Sequence, residues 1–128
     1  VKILLDTHAL WWAVTAPERL SEWGRGALLD ESNEICVSVV SWWELVVKRG
    51  RGGLEFPEPD RFLPEVTRGL GVESVTEIRA RHVLEVEKLP LLHRDPFDRM
   101  LVAQARMERM KLMTMDAQVR AYPVEWVW

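Results

Sequence analysis

The sequence predicts an α/β fold: a central, mostly parallel sheet of four to five strands, covered by helices on both faces. Three observations carry this. Short apolar runs alternate with longer helical patterns along the whole chain, which is the order a parallel sheet needs, because each crossover is a helix. The chain has 128 residues, 48% of them apolar, enough for one core without disulfide or metal staples. No repeat, low-complexity tract or Pro/Gly/Ser-rich linker divides it, so residues 1–128 read as a single domain.

The elements follow in order. Residues 1–5 (Val-Lys-Ile-Leu-Leu) read as a buried strand, and a helix starts near Thr7. A second helix is expected over 17–30, a second strand over 34–39 and a helix over 42–48. The basic, glycine-rich stretch 48–53 reads as an exposed loop. In 61–70, Phe62, Leu63, Val66 and Leu70 form one stripe at helical spacing. A third strand is expected over 72–75, then a helix over 77–87. The strongest helical pattern is 96–109, with Phe97, Leu101 and Ala105 spaced four apart. Residues 111–114 read as a fourth strand and 125–127 as a fifth.

Composition excludes several classes. Seventeen Lys and Arg stand against 20 Asp and Glu, a formal net charge of −3. A nucleic-acid partner would therefore be held by a local basic patch or a bridging metal rather than by net charge. One cysteine, Cys36, excludes an internal disulfide and a zinc motif, and its apolar neighbours make it a small buried hydrophobe. No run is long enough to span a membrane, and the N-terminus reads as a strand rather than a signal peptide. The expectation is a cytoplasmic protein. Seven tryptophans read as core and interface filling, with base stacking on RNA as the sharper alternative.

The acids point to chemistry. Ligands of open α/β sheets bind beyond the carboxyl ends of the strands. Asp6 follows the first strand, Glu44 lies in the helix after the second, Asp98 lies in the first turn of the 96–109 helix, and Asp116 follows the fourth strand. Clustered carboxylates repel one another unless a cation sits among them, and oxygen ligands favour Mg²⁺ or Mn²⁺. Such a site suits phosphodiester cleavage by metal-activated water. Helix capping is the competing explanation. Ser41-Trp42-Trp43-Glu44 fits a capping box, Asp95-Pro96 fits an N-cap with proline at the first helical position, and Asp6 and Asp116 each stand where a cap is needed. Asp6 is the hardest to explain this way, because an acid directly after a buried strand calls for neutralisation.

At these residues the chain resembles the PIN-domain ribonucleases, and within them the VapC-type toxins of bacterial and archaeal toxin–antitoxin pairs. The likeness runs over essentially the whole chain. It is carried by Ile3-Leu4-Leu5-Asp6-Thr7-His8-Ala9-Leu10-Trp11-Trp12, by residues 38–45 around Glu44, by residues 93–105 around Asp95-Pro96-Phe97-Asp98, and by Leu112-Met113-Thr114-Met115-Asp116. The resemblance implies a three-layer α/β/α PIN-like fold, Mg²⁺- or Mn²⁺-dependent RNA cleavage, a cognate antitoxin and a homodimer. It makes Asp6, Glu44, Asp98 and Asp116 the catalytic, metal-binding acids, with Asp95 either a further ligand or a cap.

Around these acids, Thr7 and Thr114 stand to orient a carboxylate or a phosphate, and Arg94 and Arg99 to hold the scissile phosphate. Lys48, Arg49 and Arg51 form the best phosphate-contact group outside the site, a solvated loop being the alternative. His8 is close enough in sequence to Asp6 to assist it, and His93 is expected to fix the start of the acidic helix. A catalytically silent module that keeps the fold and the antitoxin contact is the competing function.

Overall fold

The computed structural model describes all residues, 1–128. Strands β1 (Lys2–Leu5), β2 (Glu34–Cys36), β3 (Lys111–Met113) and β4 (Trp126–Val127) form one parallel sheet in the order β2-β1-β3-β4. Ile3 lies opposite Ile35 on one side and Lys111 on the other, and Leu112 opposite Trp126. Helices α1 (Thr7–Thr15) and α2 (Glu22–Leu29) connect β1 to β2. Helices α3 (Val39–Gly50), α4 (Pro59–Gly69), α5 (Ala80–Lys88) and α6 (Pro96–Met107) connect β2 to β3, and the short α7 (Ala117–Arg120) leads to β4.

Alternation along β1 divides the core in two. Ile3 and Leu5 face one layer with Met113, Leu10, Ala27 and Leu63, contributed by β3, α1, α2 and α4. Leu4 faces the other with Leu112, Leu101, Val102, Ala105 and Val119, from β3, α6 and α7. The central strand is thus buried on both sides, which is why its apolar run is nearly unbroken.

Five expectations need correction. Residues 72–75 form no strand. Only Thr76 pairs, through one parallel bridge to Ser38, with Thr76 N–H donating to Val37 O (2.8 Å) and Val39 N–H to Thr76 O (3.0 Å). β2 ends at Cys36 and the chain turns into α3 at Ser38, so little strand remains to pair with, and exposed Glu73 and Ser74 are solvated instead. The expected helix over 17–30 is split into a 3₁₀ turn (Pro17–Arg19) and α2, because the Ser21 side chain caps α2 by accepting from Gly24 N–H. Helix α3 begins at Val39, capped by Ser38 through Val40 N–H at 3.0 Å, so Ser41 and Glu44 form no capping box and Glu44 lies in the second turn. The same helix takes in Lys48, Arg49 and Gly50, leaving only the turn at 51–53 of the expected basic loop. Cys36, at the end of an edge strand, is half-buried rather than buried.

Ser38 also joins the layers. Its hydroxyl donates to Gln104 Oε1, and Gln104 Nε2 donates to Glu77 O (3.2 Å), with both side chains fully buried. Replacing Gln104 with Leu leaves the buried Ser38 hydroxyl proton without its acceptor and the Glu77 carbonyl without this donor. We expect a loss of about 2 kcal/mol in urea unfolding. An unchanged midpoint would show that these groups find other partners.

Candidate active site

The chain leaves β1 toward β2 but leaves β3 toward β4, so the topology reverses between two neighbouring strands. A crevice at the carboxyl ends of the strands follows from that reversal. Asp6 closes β1 there, and Asp116 lies just beyond β3.

Asp6 is both a cap and a member of a cluster. Its Oδ1 accepts from Ala9 N–H at 2.7 Å at the start of α1. It is only 4% exposed. Burial is the main cause that raises its pKa and Glu44 adds to it, while the Thr114 hydroxyl, the Ala9 N–H and His8 oppose the rise. Asp98, in the first turn of α6, is pushed up to about 6, chiefly by burial, with further repulsion from Asp95, Glu44 and Asp6. His93 counteracts this by bonding to Oδ2 at 3.1 Å. Glu44 comes from α3 and is buried. Its Oε2 lies 2.8 Å from Lys48 Nζ one turn on, whereas its Oε1 is buried with no hydrogen-bond partner. The structure therefore brings Asp6, Glu44 and Asp98 into one electrostatic field.

The other two acids lie at the border. Asp95 is the N-cap of α6, with Oδ1 accepting from Phe97 N–H (2.9 Å) and Asp98 N–H (3.1 Å). Its charge still acts on Asp98. It forms no ion pair with Arg99, contrary to the spacing. Asp116 caps α7 by accepting from Gln118 N–H (2.8 Å), and its own N–H donates to Thr114 Oγ1 (3.1 Å). The charges that add to the effect of burial are Glu44 at Asp6, and Asp95, Glu44 and Asp6 at Asp98.

No three acids already converge as a finished coordination shell. What the cluster offers is its donor set: desolvated carboxylates that repel one another, and an orphaned carboxylate oxygen on Glu44. Both features fit a hard divalent cation with oxygen ligands.

The expected phosphate contacts separate into two groups. Thr7 is buried and donates to Ser41 Oγ (3.2 Å), tying α1 to α3, and Thr114 is buried between Asp6 and Asp116. Arg49 is held by Phe56, with Nε donating to its carbonyl (2.9 Å) and the guanidinium 5.5 Å from its ring. Arg99 is buried, and its guanidinium donates to Pro90 O, Val86 O and Tyr122 Oη. These partners occupy the groups that the sequence offered for phosphate. Arg94 and Arg51 are exposed, and Lys48 is half-buried on Glu44. Sequence reasoning missed Ser41 and Tyr122, and saw His93 only as a helix-entry residue. Tyr122 reaches the site from the turn before β4, 24 residues after Asp98, and no spacing rule connects the two.

The raised acids set a pH dependence. Asp98 titrates near 6 in the folded chain against roughly 3.9 when unfolded. The metal-free folded state therefore binds more protons between these values. Its stability is greatest below the unfolded pKa and falls as pH rises through about 6. Asp6 acts in the same direction. Thermal melts of metal-free protein from pH 4 to 7.5 are expected to show this fall, and Asp98→Asn to flatten it. A wild-type profile that rises over this range contradicts the assignment.

Comparison with known proteins gives the same architecture. A model of the PIN domain family matches residues 3–125. Ribonuclease VapC22 of Mycobacterium tuberculosis is 29% identical over 124 residues, covering 94% of this chain and 91% of that protein. The crystal structure of VapBC2 from Rickettsia felis, bound to a DNA fragment from their promoter, matches with a TM-score of 0.72 at 15% identity, covering 100% of this chain and 98% of that one. The family match spans every acid of the site and three of the four strands, and the chain belongs to the PIN domain family.

Proposed function

We propose that this protein is a divalent-metal-dependent endoribonuclease, the toxin of a toxin–antitoxin pair. One observation carries the chemistry: Asp6, Glu44 and Asp98 share a desolvated crevice in which a buried Glu44 oxygen has no partner. Membership of the PIN family and the likeness to a ribonuclease support RNA as the substrate. The likeness in fold to VapBC2 supports a cognate antitoxin, and the resemblance noted in the sequence implies a homodimer.

In this reading Asp6, Glu44 and Asp98 hold Mg²⁺ or Mn²⁺, with Asp116 and Asp95 at the edge of the site. A bound ion of this kind supplies an activated water and stabilises charge on the phosphate and the leaving oxygen. The chain's own groups do the rest. The Thr114 hydroxyl and the Ala9 N–H favour the ionised form of Asp6 and offset part of the effect of its burial. Lys48 holds one Glu44 oxygen and leaves the other for the crevice. Arg94 and Arg51 supply exposed positive charge for the RNA backbone, a local attraction on a chain whose net charge is −3.

The test is cleavage of single-stranded RNA with Mg²⁺ or Mn²⁺ and with EDTA. We expect cleavage only with metal, and a fall in kcat on the order of 10³-fold or more in Asp6→Asn and Asp98→Asn. Cleavage that persists in EDTA, or that survives Asp6→Asn, rules out the mechanism. A protein that binds an antitoxin but neither metal nor RNA is instead the silent module.

Metal binding has its own readout. Mn²⁺ at a hundred times its Kd is expected to stabilise the fold by about 2.7 kcal/mol, and Asp98→Asn to abolish the gain. Equal stabilisation of the variant would place the ion elsewhere.

A further inference from the structure

We propose that His93 and Tyr122, anchored by Arg99, are positioning residues that fix the Asp98 carboxylate in one orientation. The inference rests on the reading of Asp98 as a metal-binding acid. It assigns residues to that site which touch neither RNA nor metal.

The geometry is a chain of hydrogen bonds whose shortest contacts set one direction. A guanidinium only donates. Arg99 Nη1 lies 2.9 Å from Tyr122 Oη, so the phenol oxygen accepts there. The His93 backbone N–H faces the same oxygen at 3.3 Å. The hydroxyl proton of Tyr122 has two acceptors, the His93 carbonyl at 3.4 Å and His93 Nδ1 at 2.7 Å, and the much shorter contact takes it to Nδ1. With Nδ1 accepting, the neutral imidazole carries its hydrogen on Nε2. That nitrogen lies 3.1 Å from Asp98 Oδ2. Each donor points from Arg99 toward Asp98.

The chain is sealed and braced. The His93 side chain is 8% exposed, Tyr122 3% and Arg99 8%. Arg99 also donates to Pro90 O (2.8 Å) and Val86 O (3.2 Å), which ties it to α5 and the turn beyond. Three separate segments therefore stand behind the single contact of His93 with the Asp98 carboxylate. A carboxylate held through Oδ2 has lost its freedom to rotate, and its other oxygen stays available to the crevice. Ligating carboxylates held in this way by hydrogen bonds commonly owe them tenfold or more in metal affinity. The cation expected to grip phosphate thus acts at the far end of this chain.

The experiment compares His93→Leu, His93→Gln and Tyr122→Phe with wild type. Calorimetry reads Mn²⁺ affinity and steady-state cleavage of an RNA oligonucleotide reads kcat and KM. His93→Leu is expected to weaken Mn²⁺ about tenfold and to lower kcat with KM unchanged. His93→Gln keeps an N–H donor and is expected to recover most of both losses. Tyr122→Phe is expected to give a smaller loss of the same kind. The proposal is overturned by wild-type Mn²⁺ affinity in His93→Leu, by equal damage in Leu and Gln, or by a change confined to KM, which would mean direct RNA contact. Wild-type protein whose Mn²⁺ affinity depends on His93 but which cuts no RNA would refute the nuclease reading and leave the positioning role standing. If His93→Leu fails to fold, ¹⁵N shifts of the His93 ring in wild type decide. The Nε2–H tautomer is expected, and an Nδ1–H tautomer sinks the proposal.

Discussion

The structure is organised around acidic charge kept out of water. Asp6, Glu44 and Asp98 sit where the sheet reverses its winding, each desolvated enough to resist ionisation or left with an unpaired oxygen. Burying like charges costs stability unless partners offset it. The nearby polar groups are those partners: the Ala9 N–H and Thr114 for Asp6, Lys48 for Glu44, His93 for Asp98. The surrounding architecture is what holds the acids together despite their repulsion.

That constraint clarifies the division of labour among helix caps. Asp6, Asp95 and Asp116 all cap helices by accepting backbone N–H groups. Capping and cluster membership are not rivals for Asp6: one oxygen secures α1 while the carboxylate also faces its neighbours. Asp116 caps α7 from the border of the cluster, tied to it through Thr114. Glu44 shares the field without capping anything, because Ser38 has taken that place.

Much of this was legible in the sequence. The four strands that form lie where apolar runs predicted them, down to the short tail strand at Trp126–Val127. Asp6, Asp95, Asp98 and Asp116 stand at the strand ends and helix starts where they were expected, and Glu44 lies one turn further into its helix. The failures share a cause: they concern choices between groups that are equivalent locally. Ser38 and Ser41 are both cap-type residues, and their long-range partners differ: Ser38 bonds to Gln104 while capping, and Ser41 accepts from Thr7 inside the helix. Residues 72–75 carry strand composition, but their partner strand ends too early to receive them. Arg99 and Arg94 looked alike beside the acids, yet Arg99 turns inward to Tyr122 while Arg94 stays at the surface. Long-range pairing of this kind has no periodicity to reveal it.

The strand order also fixes when the crevice can exist. The central strand β1 is made first, yet one of its two neighbours, β3, is drawn from the last fifth of the chain. Asp6 emerges early and waits for Asp98, then for His93 to be locked by Tyr122, six residues from the end. Pairing across such a separation is slow, because the intervening loop must close before it is rewarded. A partly synthesised chain therefore has the acids without the arrangement. The contacts that orient Asp98 form only once the segment carrying β3 and Tyr122 has joined the sheet.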